Sequence, residues 1–292
     1  MKKSLLSLRL PALSLVLVLA ACQKEAVAPT AAVPPIGPTI SLPEHLTLGN
    51  PSGATADPAQ PTNYLFSKSQ YALSYHRDRG ILNWVSWHLS TDWRGSAARQ
   101  YDFRPDNTLP AGWYQVQATS YSGSGFDRGH NCPSADRTNT AADNSATFLM
   151  TNMMLQAPRN NQQTWANLED YTRTFLNSGN EVYVVCGSYG RGGTGTNGYL
   201  TTLDQGRVTV PARCWKVVVI LSTGTNDATR VTTSTRVIAI DTPNDQSIST
   251  SWGTYRTSVD ATEAATGLEL LSAVLTAIQQ TIEARTDNGP TS

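Results

Sequence analysis

Short runs in which apolar and polar residues alternate occupy the middle and second half of this chain. Residues 81–90 (ILNWVSWHLS) alternate in the way typical of a half-buried strand, and residues 112–118 do so less clearly. The mostly apolar run at residues 146–155 is short enough to form one strand. Three later segments are predicted to be strands as well, at residues 181–186, 214–221 and 235–240.

A helical period replaces this alternation in two segments. In residues 164–179 the larger apolar residues recur every three or four positions, and Gly179 stands where a helix commonly ends. Residues 258–284 are also predicted to be helical, with acidic residues enriched in their first part. These elements predict an α+β fold, with helices packed on a mixed, mainly antiparallel sheet, in one domain at residues 62–287 followed by a short tail at 288–292.

The first 21 residues have the pattern of an export signal. Three basic residues, Lys2, Lys3 and Arg9, precede the apolar run LSLVLVLAA, which is too short to span a membrane as a stable anchor. The run ends in LAAC, which resembles the cleavage site of bacterial lipoproteins. We therefore expect cleavage after residues 1–21 and lipidation of the Cys22 sulfur. Ordinary signal cleavage that leaves Cys22 as a free thiol is the alternative.

Export and lipidation together predict a bacterial lipoprotein that is held at a membrane by its N-terminal lipid. Gln23, and not aspartate, follows the lipidated cysteine, so we expect an outer-membrane location, on the periplasmic or the surface face. Residues 22–61 are rich in Ala, Pro, Thr and Gly. Such a composition buries too little apolar surface to offset the entropy of ordering, which predicts a flexible tether behind the lipidated cysteine.

The charge balance argues against a protein that binds nucleic acid through a strongly basic surface. The chain has 22 Lys and Arg against 22 Asp and Glu, and loss of the three basic residues of the export signal leaves an acidic excess of three. Proteins that hold nucleic acid stoichiometrically usually carry a basic surplus. A polyanionic partner of this chain would therefore be bound by a few local arginines.

Three cysteines follow the lipidation site. Cys186 ends one predicted strand and Cys214 begins another, so the two sulfurs can form a disulfide if the strands are neighbours. Cys132 is then left over, either as a small buried residue or as a nucleophile or metal ligand. A zinc site would need more Cys and His at suitable spacing, and the chain has four histidines.

The segment FDRGHNCPSADRT places three chemically active residues within four positions. His130 titrates near neutrality and can take a proton from water, while Arg128 is always charged and offers a planar fork to phosphate oxygens. Asp127 can hold the backbone or a guanidinium in place. A surface loop of common turn composition is the alternative.

A second candidate cluster lies in the segment NNQQTWANLEDYTR. Asn161 stands just before the predicted helix, and Glu169 and Arg173 are four residues apart, so they share one helix face. A carboxylate and a guanidinium would thus lie behind an amide at the helix entrance. A capping asparagine with an ordinary exposed ion pair is the alternative.

Together the two clusters resemble the DNA/RNA non-specific endonuclease family, which includes secreted bacterial nucleases and mitochondrial endonuclease G. The resemblance covers about residues 64–285. It is carried by blocks that occur in order along the chain: RQYDFRPD (99–106), YSGSGFDRGHNCPSADR (121–137), FLMTNMMLQAPRNNQQTWANLEDYTR (148–173), VYVVCGSYG (182–190) and VPARCWKVVV (210–219).

The resemblance implies a ββα-metal nuclease that hydrolyses phosphodiester bonds of DNA and RNA to products with 5′-phosphates. It implies one Mg²⁺ ion, which Mn²⁺ may replace in such enzymes, with Asn161 as the only direct protein ligand. His130 would be the general base, Glu169 would orient water around the metal, and Asp127 would give structural support. The phosphate would be bound by the three remaining candidates, Arg99, Arg128 and Arg173.

Two other functions fit parts of the same pattern. A non-catalytic lipoprotein that adheres to extracellular DNA would keep the fold but would need neither His130 nor Asn161. A phosphodiesterase for small nucleotides could use the same arginines in a narrower cleft. Cleavage of plasmid DNA separates the first alternative from a nuclease, and a mononucleotide diester substrate separates the second.

Overall fold

The computed structural model describes residues 44–292, which form one seven-stranded sheet and three two-stranded ribbons. The strands are β1 (Tyr64–Ser67), β2 (Ala72–His76), β3 (Ile81–Leu89), β4 (Asp127–His130), β5 (Met153–Gln156), β6 (Asn180–Tyr189), β7 (Gly193–Gly195), β8 (Gly198–Leu200), β9 (Thr202–Leu203), β10 (Val208–Thr209), β11 (Arg213–Ser222), β12 (Arg236–Pro243) and β13 (Arg256–Thr257). The sheet has the order β1-β2-β3-β6-β11-β12-β13, and all its neighbouring strands are antiparallel. The ribbons pair β4 with β5, β7 with β8 and β9 with β10.

The helices are short and lie between or after the strands. Within the described residues the α-helices are α1 (Ala141–Ala146), α2 (Ala166–Thr174), α3 (Asp227–Arg230), α4 (Val259–Thr266) and α5 (Thr276–Ile282). A π-helical turn at Asn160–Trp165 leads directly into α2, and a 3₁₀ turn at Phe175–Ser178 continues it. Other 3₁₀ turns occupy Glu44–Leu46, Arg77–Arg79, Thr91–Trp93, Ser134–Asp136, Met150–Asn152, Asp204–Gly206 and Trp252–Tyr255.

The large sheet has an apolar layer on each face, because its central strands bury alternate residues on opposite sides. One layer, which we call the α2 face, packs against the helical run that contains α2; from β11 it receives Cys214 and Val218. The other layer, the α4–α5 face, packs against the N-terminal described residues and the two C-terminal helices; from β11 it receives Trp215, Val217 and Val219. The functional side chains considered below lie on or beside the α2 face.

Several predicted elements are confirmed. The strands predicted at residues 81–90, 181–186, 214–221 and 235–240 correspond to β3, β6, β11 and β12. The helix predicted at residues 164–179 corresponds to the run from the π-helical turn to Ser178, and Gly179 ends it in the left-handed conformation, with φ of 74°. The α+β class and the mainly antiparallel sheet are confirmed as well.

Three predicted elements are wrong in whole or in part. Residues 112–118 pair with no strand and remain irregular. In residues 146–155 only the end belongs to a strand, β5, because a 3₁₀ turn occupies Met150–Asn152. The single helix predicted at residues 258–284 is divided, since Gly267 takes a left-handed conformation with φ of 72° and ends α4.

The folded region begins earlier than the composition predicts. Residues 44–61, which we assigned to the flexible tether, pack against the sheet and bury Leu46, Leu48 and Ala54. Thr55 also forms a parallel bridge with Tyr64 of β1. A few apolar residues are enough to hold this segment in place, because the sheet supplies the other half of the buried apolar contact.

The predicted C-terminal tail is also part of the fold. Gly289 accepts a hydrogen bond from Arg256 through its carbonyl oxygen, and Pro290 accepts one from Arg236 at 2.8 Å. Asp287 adds an ion pair with Arg236. The end of the chain is thus fixed to β12 and β13.

The predicted export signal at residues 1–21 and the lipidation site at Cys22 lie outside the described residues, so they stay predictions. From residue 44 onward, no helix has the length and apolar character needed to cross a membrane.

The predicted disulfide between Cys186 and Cys214 is not formed, and both thiols are free and buried. Their strands β6 and β11 are neighbours, but Cys186 lies opposite Lys216 and Cys214 lies opposite Ser188, which puts the two cysteines two residues out of register. Burial raises the pKa of both thiols. The condition that the two strands be neighbours is therefore met, and the register keeps the disulfide from forming.

Candidate active site

The β4–β5 ribbon carries the Asp-Arg-Gly-His segment as a strand, not as a surface loop. Asp127 lies opposite Gln156, and His130 lies opposite Met153. Gly129 is required by close packing, because a Cβ atom there would lie 2.4 Å from Oε1 of Gln156. The sequence thus places the acid, the guanidinium and the imidazole on one short, well-supported strand.

His130 is enclosed by aromatic rings. Its ring lies edge-on to Phe148, with 4.8 Å between the centroids, and to Phe103, at 5.5 Å. Burial, together with the positive charges of Arg99 and Arg128, lowers the pKa of His130 to about 3. The imidazole is therefore neutral at pH 7, and its Nε2 has no hydrogen-bond partner among the described residues.

Two arginines pack against the same two aromatic rings. The guanidinium of Arg128 lies over Phe103, 3.9 Å from the ring centroid, and donates one hydrogen bond to the carbonyl of Ala118 at 3.2 Å. The guanidinium of Arg99 lies over Phe148, at 4.9 Å, and donates to the Ser134 hydroxyl. Each arginine has further N–H groups that make no hydrogen bond within residues 44–292, so both can bind an anion beside His130.

Asn161 is held in one orientation by its neighbour on β4. Its Nδ2 donates to Oδ2 of Asp127 at 2.8 Å, and Nε2 of Gln162 donates to the same oxygen at 2.9 Å. Because a carboxylate can only accept, the amide nitrogen must face Asp127. The Asn161 Oδ1 accepts no hydrogen bond from the described part of the chain, which leaves a hard oxygen ligand free.

Glu169 and Arg173 do not form the exposed ion pair that was the alternative interpretation. Glu169 pairs instead with Lys216 of β11, with 2.9 Å between Oε1 and Nζ. Arg173 pairs with Asp136 at 2.9 Å and also with Asp170. Burial raises the pKa of Glu169, whereas Lys216 and Arg173 act in the opposite direction.

Lys216 is the functional residue that the sequence analysis missed. Its side chain is 1% exposed, and its Nζ lies 4.1 Å from the ring centroid of Trp165. A lysine inside the apolar run CWKVVVIL is the signal that could have revealed it, because a lysine is almost never fully buried without a partner. Tyr101 is a second residue near the site that the sequence analysis did not single out. It is 70% exposed and lies beside Arg99, with 5.1 Å between the guanidinium and the ring centroid.

The predicted site residues are brought into one region. Asp127 contacts Asn161 directly, and the charges of Arg99 and Arg128 act on His130. Burial lowers the pKa of Arg99, and Tyr101 and the carboxylate of Glu169 oppose that shift. The connections therefore run without a break from the β4–β5 ribbon to α2. Burial raises the pKa of Cys132 to about 12 and leaves its thiol inert at neutral pH.

The residues present suit a single oxygen-coordinated cation. Within residues 44–292, two groups of three acidic or histidine side chains lie close enough to share a metal, and neither contains Asp127, His130 or Glu169. What the site offers instead is one free amide oxygen next to a fixed carboxylate. Mg²⁺ keeps most of its water and takes few protein ligands, so this donor set fits it.

An imidazole, a free amide oxygen and unpaired arginines gathered on a strand–helix unit define a phosphodiester-cleaving nuclease. The chain belongs to the DNA/RNA non-specific endonuclease family, which its sequence matches over residues 49–277. It is accordingly an endonuclease and a hydrolase, with nucleic acid as its class of substrate.

Known proteins of this kind are similar to the chain in sequence and in fold. A nuclease of Nostoc sp. (strain PCC 7120 / SAG 25.82 / UTEX 2576) is 51% identical over 259 residues, which is 88% of this chain and 91% of the Nostoc protein. Human mitochondrial endonuclease G is 34% identical over 167 residues, 55% of this chain and 56% of that protein. A chain from the crystal structure of the EndoG/EndoGI complex shares the fold, with a TM-score of 0.67, 23% identity, and coverage of 84% of this chain and 97% of that one.

Proposed function

We propose that the protein is a Mg²⁺-dependent, sugar-non-specific endonuclease that hydrolyses DNA and RNA to 5′-phosphate products. The observation that supports this most strongly is that two atoms of the site, Nε2 of His130 and Oδ1 of Asn161, have no hydrogen-bond partner within residues 44–292. A neutral imidazole can accept a proton, and an amide oxygen can hold a hard cation.

His130 is assigned as the general base. It takes a proton from a water molecule as the water oxygen bonds to phosphorus and the bond between phosphorus and the 3′-oxygen breaks. The 5′-phosphate stays on one product, and the 3′-oxygen of the other takes a proton from solvent water to form a hydroxyl. The low pKa of His130, about 3, keeps the imidazole unprotonated at neutral pH, as a base must be.

Asn161 is assigned as the residue that holds the cation, and Asp127 as the residue that orients the Asn161 side chain. When bound, Mg²⁺ would offset the negative charge that develops on the phosphate and the leaving oxygen, and Mn²⁺ would be an acceptable substitute. Glu169 is assigned to water near the cation, because its Oε2 accepts no hydrogen bond within residues 44–292 while Oε1 is held by Lys216.

The three arginines have different tasks in this proposal. Arg99 and Arg128 keep unpaired N–H groups beside His130 and bind the phosphate oxygens. Both terminal nitrogens of Arg173 already contact carboxylates, those of Asp136 and Asp170. Arg173 therefore contributes positive charge and fixes α2 in place.

An exposed aromatic ring supports a polymeric substrate over a small nucleotide. Tyr101 presents an exposed ring next to Arg99, and its backbone is in the left-handed region, with φ of 54°. A ring in that place can stack on a base of a longer strand.

The test is cleavage of supercoiled plasmid and of single-stranded RNA by the full chain with Mg²⁺, with and without a chelator. We expect metal-dependent cleavage of both polymers, and products that accept no phosphate from a 5′-kinase until they are treated with phosphatase. Intact plasmid and RNA under every condition would favour the DNA-adhesion alternative. Faster turnover of a mononucleotide diester than of plasmid would favour the small-nucleotide alternative.

We also propose that the enzyme is an exported lipoprotein of the outer membrane, anchored through Cys22. The support is the LAAC motif behind a basic and apolar leader. Cys22→Ala should move the nuclease from the membrane fraction to the soluble exported fraction. Retention of the variant in washed membranes would contradict the assignment.

A further inference from the structure

A group of carboxylates lies where the two C-terminal helices meet, on the α4–α5 face of the sheet. Asp260 and Glu263 belong to α4, and Glu283 follows α5 directly. Each of the three can place an oxygen within 4.8 Å of the oxygens of the other two. Asn161 lies on the α2 face, so this group is separate from the proposed catalytic cation.

Glu283 is the informative member of the group. The residue is 6% exposed, and its Oε1 is buried without any hydrogen-bond partner among the described residues. An unpaired buried carboxylate is costly, since its lost hydration is not replaced. Its position is fixed by the backbone, because the N–H of Asp260 donates to the carbonyl of Glu283 at 3.1 Å.

The other carboxylates are also held close by the fold. Glu263 accepts a hydrogen bond from the backbone N–H of Leu270 at 2.7 Å, which anchors its Oε1 at the turn between the helices. Burial, and then the nearby Glu263, Glu269 and Asp260, raise the pKa of Glu283 to about 8. None of these four acidic side chains forms an ion pair with a Lys or Arg within residues 44–292, so the fold gathers acidic groups without a protein cation beside them.

A comparable cluster elsewhere shows what a balanced arrangement looks like. His88, Glu181 and Asp227 are also close enough to share an ion. There, however, Arg230 contacts both carboxylates, at 2.6 Å in the case of Asp227, and fills the position that a cation would take. The C-terminal group has no such arginine.

We propose that Asp260, Glu263 and Glu283 form a binding site for a hard divalent cation of the Ca²⁺ class, which joins α4 to α5. All the available ligands are oxygens, as Ca²⁺ prefers. Ca²⁺ takes six to eight oxygen ligands in a flexible geometry, whereas Mg²⁺ usually binds through one or two carboxylates and keeps several waters. Three carboxyl groups drawn from two helices therefore suit Ca²⁺.

The experiment measures Ca²⁺ binding to chelator-treated full-length protein by calorimetry, together with the melting temperature with and without Ca²⁺. Asn161→Ala serves as the background, because it removes the proposed catalytic ligand and leaves only the C-terminal site. In that background we expect one Ca²⁺ per chain and a higher melting temperature with Ca²⁺. Adding Asp260→Asn should abolish both effects, and adding Asp92→Asn, an exposed control carboxylate, should change neither.

Asp260 is exposed, so its substitution leaves the core intact, and Glu283→Gln gives a second variant of nearly the same shape. Loss of Ca²⁺ binding in both variants supports the site. Calcium binding that persists in both, or absence of any Ca²⁺ binding in the Asn161→Ala background, overturns it. Mg²⁺-dependent cleavage by Asp260→Asn alone should equal that of the wild type, so a failure of this inference is distinguishable from a failure of the nuclease assignment.

Discussion

Both faces of the sheet carry an apolar layer, but β11 presents different groups to each. On the α2 face, a lysine in the centre of β11 pairs with Glu169, and neighbouring polar atoms such as Nε2 of His130 remain without partners. On the α4–α5 face, the adjacent β11 residue Val217 meets only an apolar layer. The comparison shows that β11 serves two purposes: its α2 side holds a buried charged group beside the candidate active site, and its α4–α5 side contributes apolar burial that stabilises the fold.

The largest expected effect is that of His130→Ala on turnover. Loss of a positioned base should reduce kcat by roughly two to four decades, while the melting temperature changes little. The wild-type kcat/KM should show no loss attributable to His130 as pH falls through 6.5, because the pKa of this imidazole is about 3 in the free protein. Rates measured with plasmid from pH 5 to 8 for both proteins test this, and near-wild-type cleavage by the variant would remove His130 from its role.

Lys216→Met should reduce stability strongly. It leaves the buried carboxylate of Glu169 without its ion-pair partner, and breaking a buried pair typically costs about 3–5 kcal/mol. Arg213→Met is the matched control on the same strand, because its pair with Asp241 is partly exposed and should contribute about 1 kcal/mol or less. Urea unfolding of both variants measures the difference, and equal losses would show that burial of the Lys216 pair has no special cost.

Val217→Ala should affect stability alone. Removing two methyl groups from the α4–α5 face should cost roughly 2 kcal/mol through lost burial and an incompletely filled cavity. Its kcat and KM should equal those of the wild type at a temperature where both proteins are folded. A clear fall in kcat would contradict the separation of roles between the two faces.

Tyr101→Ala should have the smallest effect, and on binding more than on chemistry. Stacking of one base on an aromatic ring contributes about 1–3 kcal/mol, so KM for plasmid should rise roughly tenfold while kcat stays close to the wild-type value. Tyr101→Phe keeps the ring and should restore the wild-type KM. Tyr199→Ala, which removes another exposed ring, is a useful comparison. Equal KM values for all four proteins would exclude a stacking role.

The centre of the sheet could be predicted from the sequence because its strands are long and strongly patterned. β3, β6, β11 and β12 bury most of their residues, so apolar and β-branched residues dominate them. The candidate site residues could be recognised from their motifs, since each motif is short and continuous in sequence.

What the sequence did not reveal depends on contacts between distant segments. Leu46 and Leu48 stand in a stretch rich in Pro and Gly, and only the neighbouring sheet makes them core residues. The register that separates Cys186 from Cys214 is set by the pairing of β6 with β11, which local patterns do not encode. Lys216 interrupts an apolar strand, and its partner Glu169 lies 47 residues away in the sequence.

The central claim is that the amide oxygen of Asn161 holds the catalytic cation beside His130. The most direct test is the Mg²⁺ dependence of the plasmid cleavage rate for the wild type and for Asn161→Ala, at equal amounts of folded protein. The account predicts that the variant needs a much higher Mg²⁺ concentration for half-maximal rate, because its only protein ligand is gone. Superimposable titration curves with equal maximal rates would contradict it.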